Sequence, residues 1–158
     1  MSDHRRVEVL MWTHEKFRRM SSPQPCGQSL WIYLLTNSHT GAVPGLFRAG
    51  RAAMAEELGW SLEGFDKSFQ EVFDQGMVDA DFDVRLVWLP NAIKYNQPQR
   101  PHTVRMWRRH FKTLPDCDLK SRATHTLWET LGRMGPGYLT AFAEMVGEDP
   151  RGMKGGQP

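Results

Sequence analysis

The strongest constraint in this sequence is a pair of predicted helices separated by only three residues. Arg51 to Leu58 predicts the first helix, because Met54 and Leu58 share one face. Gly59 follows where helices commonly end in a left-handed residue, which glycine adopts without a Cβ clash. Ser61 can then accept a backbone N–H from the first turn of the next helix. This stretch therefore predicts two helices joined by a tight turn.

The second predicted helix carries one apolar stripe at helical spacing and ends before Gly76. The stripe consists of Leu62, Phe65, Phe69, Val72 and Phe73. Two β-rich runs follow, Met77-Val78 and residues 84–89, around a predicted hairpin tip at residues 80–83. With a short strand at residues 43–48, this order is that of a winged helix-turn-helix. The predicted fold class is α+β, mainly α, with a small three-stranded antiparallel sheet and extra C-terminal helices.

The rest of the chain predicts further helices around this unit. Residues 7–12 form a candidate strand, and Thr13 is a candidate cap for a short helix through Arg19. The other predicted elements are helices at 27–37, 102–112, 118–132 and 138–146, with an extended connector at 92–101. We expect a winged-helix domain with its connector and basic helix at 1–115, a C-terminal helical extension at 116–147, and a disordered tail at 148–158.

Composition excludes few classes of protein. The net charge of +2 is too small to indicate a partner, so local clustering has to decide. No run of about 18 apolar residues predicts a membrane span. Cys26 and Cys117 stand far apart without metal-type spacing, which favours free thiols in a reducing cytoplasm over a disulfide. We therefore expect a cytoplasmic protein.

The clearest charge cluster runs from residue 94 to residue 112. It contains six positive side chains and no Asp or Glu: Lys94, Arg100, Arg105, Arg108, Arg109 and Lys112. A cationic face on an amphipathic helix attracts a phosphate backbone through counterion release. The alternative is an ordinary solvated face opposite a packed stripe of Val104, Trp107 and Phe111.

The predicted recognition helix has the opposite charge. Residues 61–75 contain four carboxylates against Lys67 alone: Glu63, Asp66, Glu71 and Asp74. The hairpin adds Asp79, Asp81 and Asp83, and all of these would meet phosphates unfavourably. Either DNA lies on the basic helix and connector, or the winged fold binds protein. Arg48 and Arg51 are nearby cations that could still contact a DNA backbone.

Several short runs resemble one family of proteins. They are Leu34-Leu35-Thr36-Asn37-Ser38-His39, Gly45-Leu46-Phe47-Arg48, Glu56-Glu57-Leu58-Gly59-Trp60, Gly76-Met77-Val78, and Val87-Trp88-Leu89-Pro90-Asn91 continuing to Lys94-Tyr95-Asn96-Gln97-Pro98. Over residues 8 to 115 the chain resembles the N-terminal winged-helix module of phage and prophage replication-initiation proteins, similar in style to replisome organisers and DnaD-type proteins. The resemblance implies a DNA-associated role in starting phage-type replication, with a helicase or its loader as a possible partner.

Other kinds of chemistry lack a sequence signal. The six histidines show no metal-binding spacing, and residues 132–137 lack the Lys-Ser/Thr ending of a phosphate loop. Nothing marks a nucleophile, so we expect a non-enzyme without cofactor or metal. Tyr95 and Trp88 could stack on unpaired bases, although we favour a role in which they pin the connector to the sheet.

Two functions from different classes follow. The first is a DNA-binding module of phage-type replication initiation that contacts phosphates through the basic helix after the wing. The alternative is a protein-interaction module of a replisome or transcription complex that uses the acidic winged-helix face. The sequence leaves open the DNA site, its strandedness and the oligomeric state.

Overall fold

The computed structural model describes residues 4–147, and the predicted disordered tail at 148–158 lies outside the described residues. Three strands form within residues 4–147: β1 Leu46–Arg48, β2 Asp79–Asp81 and β3 Leu86–Trp88. The helices are α1 Glu15–Arg18, α2 Gly27–Thr36, α3 Arg51–Leu58, α4 Leu62–Asp74, α5 Ala92–Tyr95, α6 Pro101–Met106, α7 Arg108–Thr113, α8 Asp118–Met134 and α9 Pro136–Val146. The fold class is α+β, mainly helical, with a small three-stranded antiparallel sheet.

The tight turn between α3 and α4 forms as the sequence predicts. Gly59 adopts φ +71°, and its N–H donates to Ala55 and Glu56 carbonyl oxygens. The Ser61 hydroxyl accepts the Gly64 N–H at 3.0 Å, which satisfies a free donor in the first turn of α4. These two local features therefore fix the angle between the helices.

The apolar stripe of α4 is buried only along its middle. Phe65 and Val72 lie in the core, and Phe69 packs against it. Leu62 and Phe73, at the two ends of the stripe, are 40% and 44% exposed. Phe73 instead stacks on the Phe69 ring, with centroids 6.5 Å apart.

The sheet has the order β1-β3-β2, and both pairings are antiparallel. Phe47 and Ala80 both lie opposite Val87. The prediction of the first hairpin strand at Met77-Val78 is wrong, because β2 begins at Asp79. The hairpin turn covers residues 82–85, two residues beyond the predicted tip at 80–83. Phe82 packs edge-on against the Phe65 and Phe69 rings, so burial of this ring keeps residues 79–81 in the strand and moves the turn onward.

Helices cover both faces of the sheet, so both faces are buried. Neighbouring strand residues point to opposite sides and therefore enter different clusters. Phe47 and Val87 belong to a first cluster, packed with α2, α3 and α4. Leu46 and Trp88 belong to a second cluster, packed with α6 to α9. We call these the first cluster and the second cluster. The predicted boundary after residue 115 falls between α7 and α8, and residues from both sides of it contribute to the second cluster.

Two predictions near the N-terminus are wrong. Residues 7–12 form no strand; Met11–Thr13 is a short 3-10 turn that buries Trp12. The indole N–H of Trp12 donates to the Thr36 hydroxyl at 2.8 Å, and this tertiary contact overrides the β propensity of the run. The cap of α1 is His14 rather than Thr13, since the Thr13 hydroxyl donates back to the Leu10 carbonyl.

Three details after the sheet also differ from the predictions. The connector at 92–101 is not fully extended, because it contains α5, which buries Ala92 and Ile93. The basic helix starts at Pro101, whose fixed φ suits a first helical position, and it is split into α6 and α7 at Trp107. The helix predicted at 118–132 begins at Asp118 but continues to Met134.

Both cysteines are free thiols, Cys26 exposed and Cys117 partly buried. Between residues 4 and 147, the helices are all too short or too polar to cross a membrane.

Candidate nucleic-acid interface

Residues 94–112, which we call the basic segment, keep their predicted amphipathic character although the helix breaks at Trp107. Val104, Trp107 and Phe111 are buried in the second cluster. Trp107 itself has helical dihedrals, φ −69° and ψ −18°, so the outward direction of the side chains continues from α6 into α7. All six predicted cations of residues 94–112 are exposed.

Two of these cations are engaged by one residue of α9. The Arg105 Nε lies 2.5 Å from the Glu144 carboxylate, and the Arg108 Nη1 donates to the Glu144 backbone oxygen at 3.1 Å. The Arg105 guanidinium holds the pKa of the Glu144 carboxyl below its usual range. The Arg105 and Glu144 side chains are 41% and 50% exposed, and such solvated pairs contribute little stability. Phosphate could therefore compete for both guanidiniums.

The other four cations of the segment have no such partner. Lys94, Arg100, Arg109 and Lys112 make no ion pair or side-chain hydrogen bond within residues 4–147. Arg109 and Lys112 are three residues apart on α7, and that spacing makes them neighbours on the helix surface. These four side chains, which we call the free cations, can contact a polyanion without breaking an internal interaction.

Arg48 and Arg51, the predicted cations near the sheet, differ in availability. Arg51 pairs with Asp66 across the helix pair at 2.8 Å. Arg48 is exposed opposite Leu86 and has no charged partner in the described range.

Arg85 is a further exposed cation that the sequence reasoning missed. Its carbonyl accepts the Ala49 N–H at 2.9 Å, which places it at the end of the sheet beside Arg48. It is the one non-glycine residue with positive φ among residues 4–147, at +58°. The correct hairpin register could have found it, because the residue before β3 must face the residue after β1.

The carboxylates of α4 are occupied by internal partners. Asp66 pairs with Arg51, and Glu63 pairs with Lys67 at 3.0 Å. The Glu71 carboxylate accepts the Gly27 N–H at 3.0 Å and so caps the start of α2. Asp74 accepts from the Gln70 amide at 2.7 Å. Glu71 is therefore committed to the fold as a cap of α2, whereas the exposed pairs of Glu63, Asp66 and Asp74 are weak enough for a basic partner to replace.

The acidic hairpin is likewise tied to the rest of the molecule. Asp79 lies 2.9 Å from Arg122 of α8, which also pairs with Asp118 at 2.9 Å. These two carboxylates raise the pKa of the Arg122 guanidinium. Asp81 accepts the Asp83 N–H inside the turn.

The two aromatics beside the connector occupy different environments. Trp88 is 8% exposed and belongs to the second cluster together with Ile93 of the connector, which fits the expectation that it pins the connector to the sheet. Tyr95 is 77% exposed at the end of α5, so the same expectation is wrong for this residue. The helix turns the ring away from both clusters.

No group of three or more His, Cys, Asp or Glu side chains in the described part of the chain is arranged to hold a metal ion. Comparison with known proteins gave no match, whether to family models, to curated proteins or to solved structures.

Proposed function

We propose that this chain is a DNA-binding module of phage-type replication initiation, a binding protein rather than an enzyme. The observation that carries the proposal is the set of free cations, in a segment with six positive side chains and no carboxylate. Guanidinium and ammonium groups without internal partners can neutralise phosphates at little cost. The link to replication rests on the resemblance of the sequence runs alone.

The element order supports a winged helix-turn-helix as the finer description of the fold. In the order α2, β1, α3, α4, β2 and β3, the last two strands form the hairpin that would be the wing. Pairing of β1 with β3 gives the small sheet that such domains contain. The DNA surface that we propose lies on α5 to α7 rather than on α4, because α4 carries a net negative charge.

A salt titration tests the proposal. We would measure binding of a fluorescent 20-base-pair duplex by polarisation for the wild type and for the triple variant Arg100→Gln/Arg109→Gln/Lys112→Gln. The slope of log K against log salt should fall by about 0.9 for each lost phosphate contact. The matched control, Lys16→Gln/Arg18→Gln/Arg133→Gln, removes the same charge from exposed sites elsewhere. Equal losses in both variants, or no binding by the wild type at low salt, would contradict the proposal.

Glu144→Gln gives a second, opposite test. This change removes the carboxylate that holds Arg105 and leaves the packing of α9 intact. We expect duplex affinity to rise about two- to fivefold, since one guanidinium is released and one negative charge disappears. An unchanged or weaker affinity would place the DNA surface away from α6.

A protein-interaction module using the acidic winged-helix face is the second candidate. The 44% exposed Phe73 ring favours it, because it lies beside Asp74 at the end of α4. Its test is the double change Phe73→Ser/Asp74→Lys, which should abolish capture of a replisome or transcription protein and leave DNA binding unchanged. Glu71 is unsuitable for this test because it caps α2.

A further inference from the structure

Tyr95 lines a groove of about 930 Å³, and the described lining includes no residue of α7. The N-terminal segment, α2 and α5 all contribute to its lining, with Arg6, Trp31, Leu35, Tyr95 and Asn96 among the lining residues. Its size falls within the range of ligand-binding pockets. We call it the Tyr95 groove.

The end of α5 presents the Tyr95 ring to solvent in a defined position. The Asn96 side-chain amide donates to the Ala92 carbonyl at 3.2 Å, and the Asn96 N–H donates to the same carbonyl at 3.0 Å. Ala92 and Ile93 anchor this short helix in the two clusters. The ring is therefore exposed on an anchored helix, where a flat ligand can stack on it at little entropic cost.

The charge around the groove is mostly positive. Arg5 and Arg6 line it, and Glu8 is the one acidic lining residue among residues 4–147. Lys94, one of the free cations, precedes Tyr95 directly on α5. An aromatic ring, a half-buried indole and flanking cations form the combination that binds single-stranded nucleic acid, in which bases stack and phosphates meet positive charge.

We propose that the Tyr95 groove binds single-stranded DNA, with a base stacked on Tyr95 and the adjoining phosphates contacted by Arg6 and Lys94. A duplex cannot use this ring, because its bases are already paired and stacked on one another. Asn91 and Asn96 line the same groove, and the Asn91 side-chain amide can donate to or accept from an exposed base edge. This inference rests on the proposed function for the class of ligand and adds its strandedness.

The test uses fluorescent dT12 and a fluorescent blunt duplex, both measured by polarisation over a range of salt. Tyr95→Ala should weaken dT12 binding about tenfold, within the effect of losing one stacked base, and leave duplex affinity unchanged. Because stacking releases no counterions, the salt slope for dT12 should stay the same. Tyr95→Phe should keep dT12 affinity within about twofold, since the ring rather than the hydroxyl does the stacking.

Met20→Ala is the control, because it removes an exposed apolar side chain of α1's C-terminal flank that does not line the groove. It should bind dT12 like the wild type. Duplex binding with unchanged dT12 affinity in Tyr95→Ala would overturn this inference and leave the proposed function standing. Absence of binding to both DNAs by the wild type would overturn both.

Discussion

The two faces of the sheet are covered by clusters of different polarity. In the first cluster, the buried Tyr33 hydroxyl donates to Glu57 at 2.5 Å, and the other Glu57 oxygen lies 2.7 Å from His39 Nε2. The buried Asn37 amide donates to two carbonyls of α2. In the second cluster, large apolar side chains dominate, and His110 lies at its edge with its Nδ1 accepting the Val43 N–H at 3.2 Å.

This difference indicates how each side is specified. Buried hydrogen-bond networks have strict geometry, so the first cluster fixes the orientation of α2 relative to α3. The second cluster is specified by shape and volume, and its charges stay on the outer surface, where the basic segment lies. The helices that carry the free cations are therefore held by apolar packing, which requires no ion pair or hydrogen bond from those cations.

Neighbouring strand residues allow the two clusters to be compared directly. Phe47 and Leu46 are both fully buried, on opposite faces of β1. We expect Phe47→Ala to lower the free energy of unfolding by about 4 kcal/mol and Leu46→Ala by about 3 kcal/mol, from lost transfer energy and cavity formation. Urea unfolding followed by circular dichroism measures both. If either loss were below about 1 kcal/mol, that cluster would not be the tightly packed unit described here.

Gly45 tests the junction that holds β1 between the clusters. It adopts φ +71°, and a Cβ there would lie 2.6 Å from the Leu89 carbonyl oxygen. Gly45→Ala should therefore cost at least about 2 kcal/mol, from the left-handed backbone and the clash together. Gly76→Ala is the matched control, with φ +70° and nothing within 4 Å of its Cβ. Equal destabilisation of the two variants in urea would show that the close approach to Leu89 is unimportant.

The sequence predicted those features that depend on residues close in the chain. Gly59 and Ser61 sufficed for the α3–α4 turn, because each acts on backbone groups within four residues. The pairing of Arg105 with Glu144 joins residues 39 apart, and the cap that Glu71 places on Gly27 spans 44. Counting charges along the sequence does not reveal partners so distant. The sequence alone therefore could not show which cations are free to contact a polyanion.

The hairpin shows a second reason for failure. The run at residues 84–89 contains β3, yet the first strand and the turn both lie about two residues further along than predicted, because Phe82 packs against the Phe65 and Phe69 rings. The prediction for Tyr95 was wrong because the short helix α5 was missed. Residues 92–101 contain too few periodic positions to reveal a one-turn helix, which forms because Ala92 and Ile93 are buried. Tertiary packing decided both cases.

Tyr33 gives the first cluster a response to alkali. Burial and the neighbouring Glu57 carboxylate raise the pKa of the Tyr33 phenol far above its usual range. In the unfolded chain this phenol ionises near about pH 10, so the folded state should lose stability as pH rises beyond that value. Tyr33→Phe should cost about 1 kcal/mol at pH 7 and flatten the fall in Tm between pH 9 and about pH 11.

The exposed Tyr95 provides the control for this measurement. Tyr95→Phe should leave the alkaline fall in Tm as steep as in the wild type, because the Tyr95 side chain is 77% exposed and is not part of the first cluster. If Tyr33→Phe and the wild type lost stability in parallel above about pH 10, the Tyr33–Glu57 hydrogen bond would not be the source of the alkaline response.

His110 should give the second cluster the opposite and smaller response. Burial lowers the pKa of the His110 imidazole, so the unfolded chain binds the proton first and stability should fall as pH drops below about 6.5. Protonation would also set an N–H against the Val43 N–H, which Nδ1 now accepts. Because the ring is partly solvated, the change between pH 7 and about pH 5 should stay below about 1 kcal/mol.

The measurement is Tm as a function of pH. The non-titrating variant His110→Asn should show a smaller fall in Tm at acid pH, the acid limb, whereas His102→Asn, at an exposed position, should not. An identical acid limb in His110→Asn and the wild type would remove the contrast in pH response between the two clusters. A flattened limb would instead tie acid sensitivity to the contact between α7 and the segment before β1. Acid would then loosen the base of the cationic surface, where His110 of α7 meets Val43.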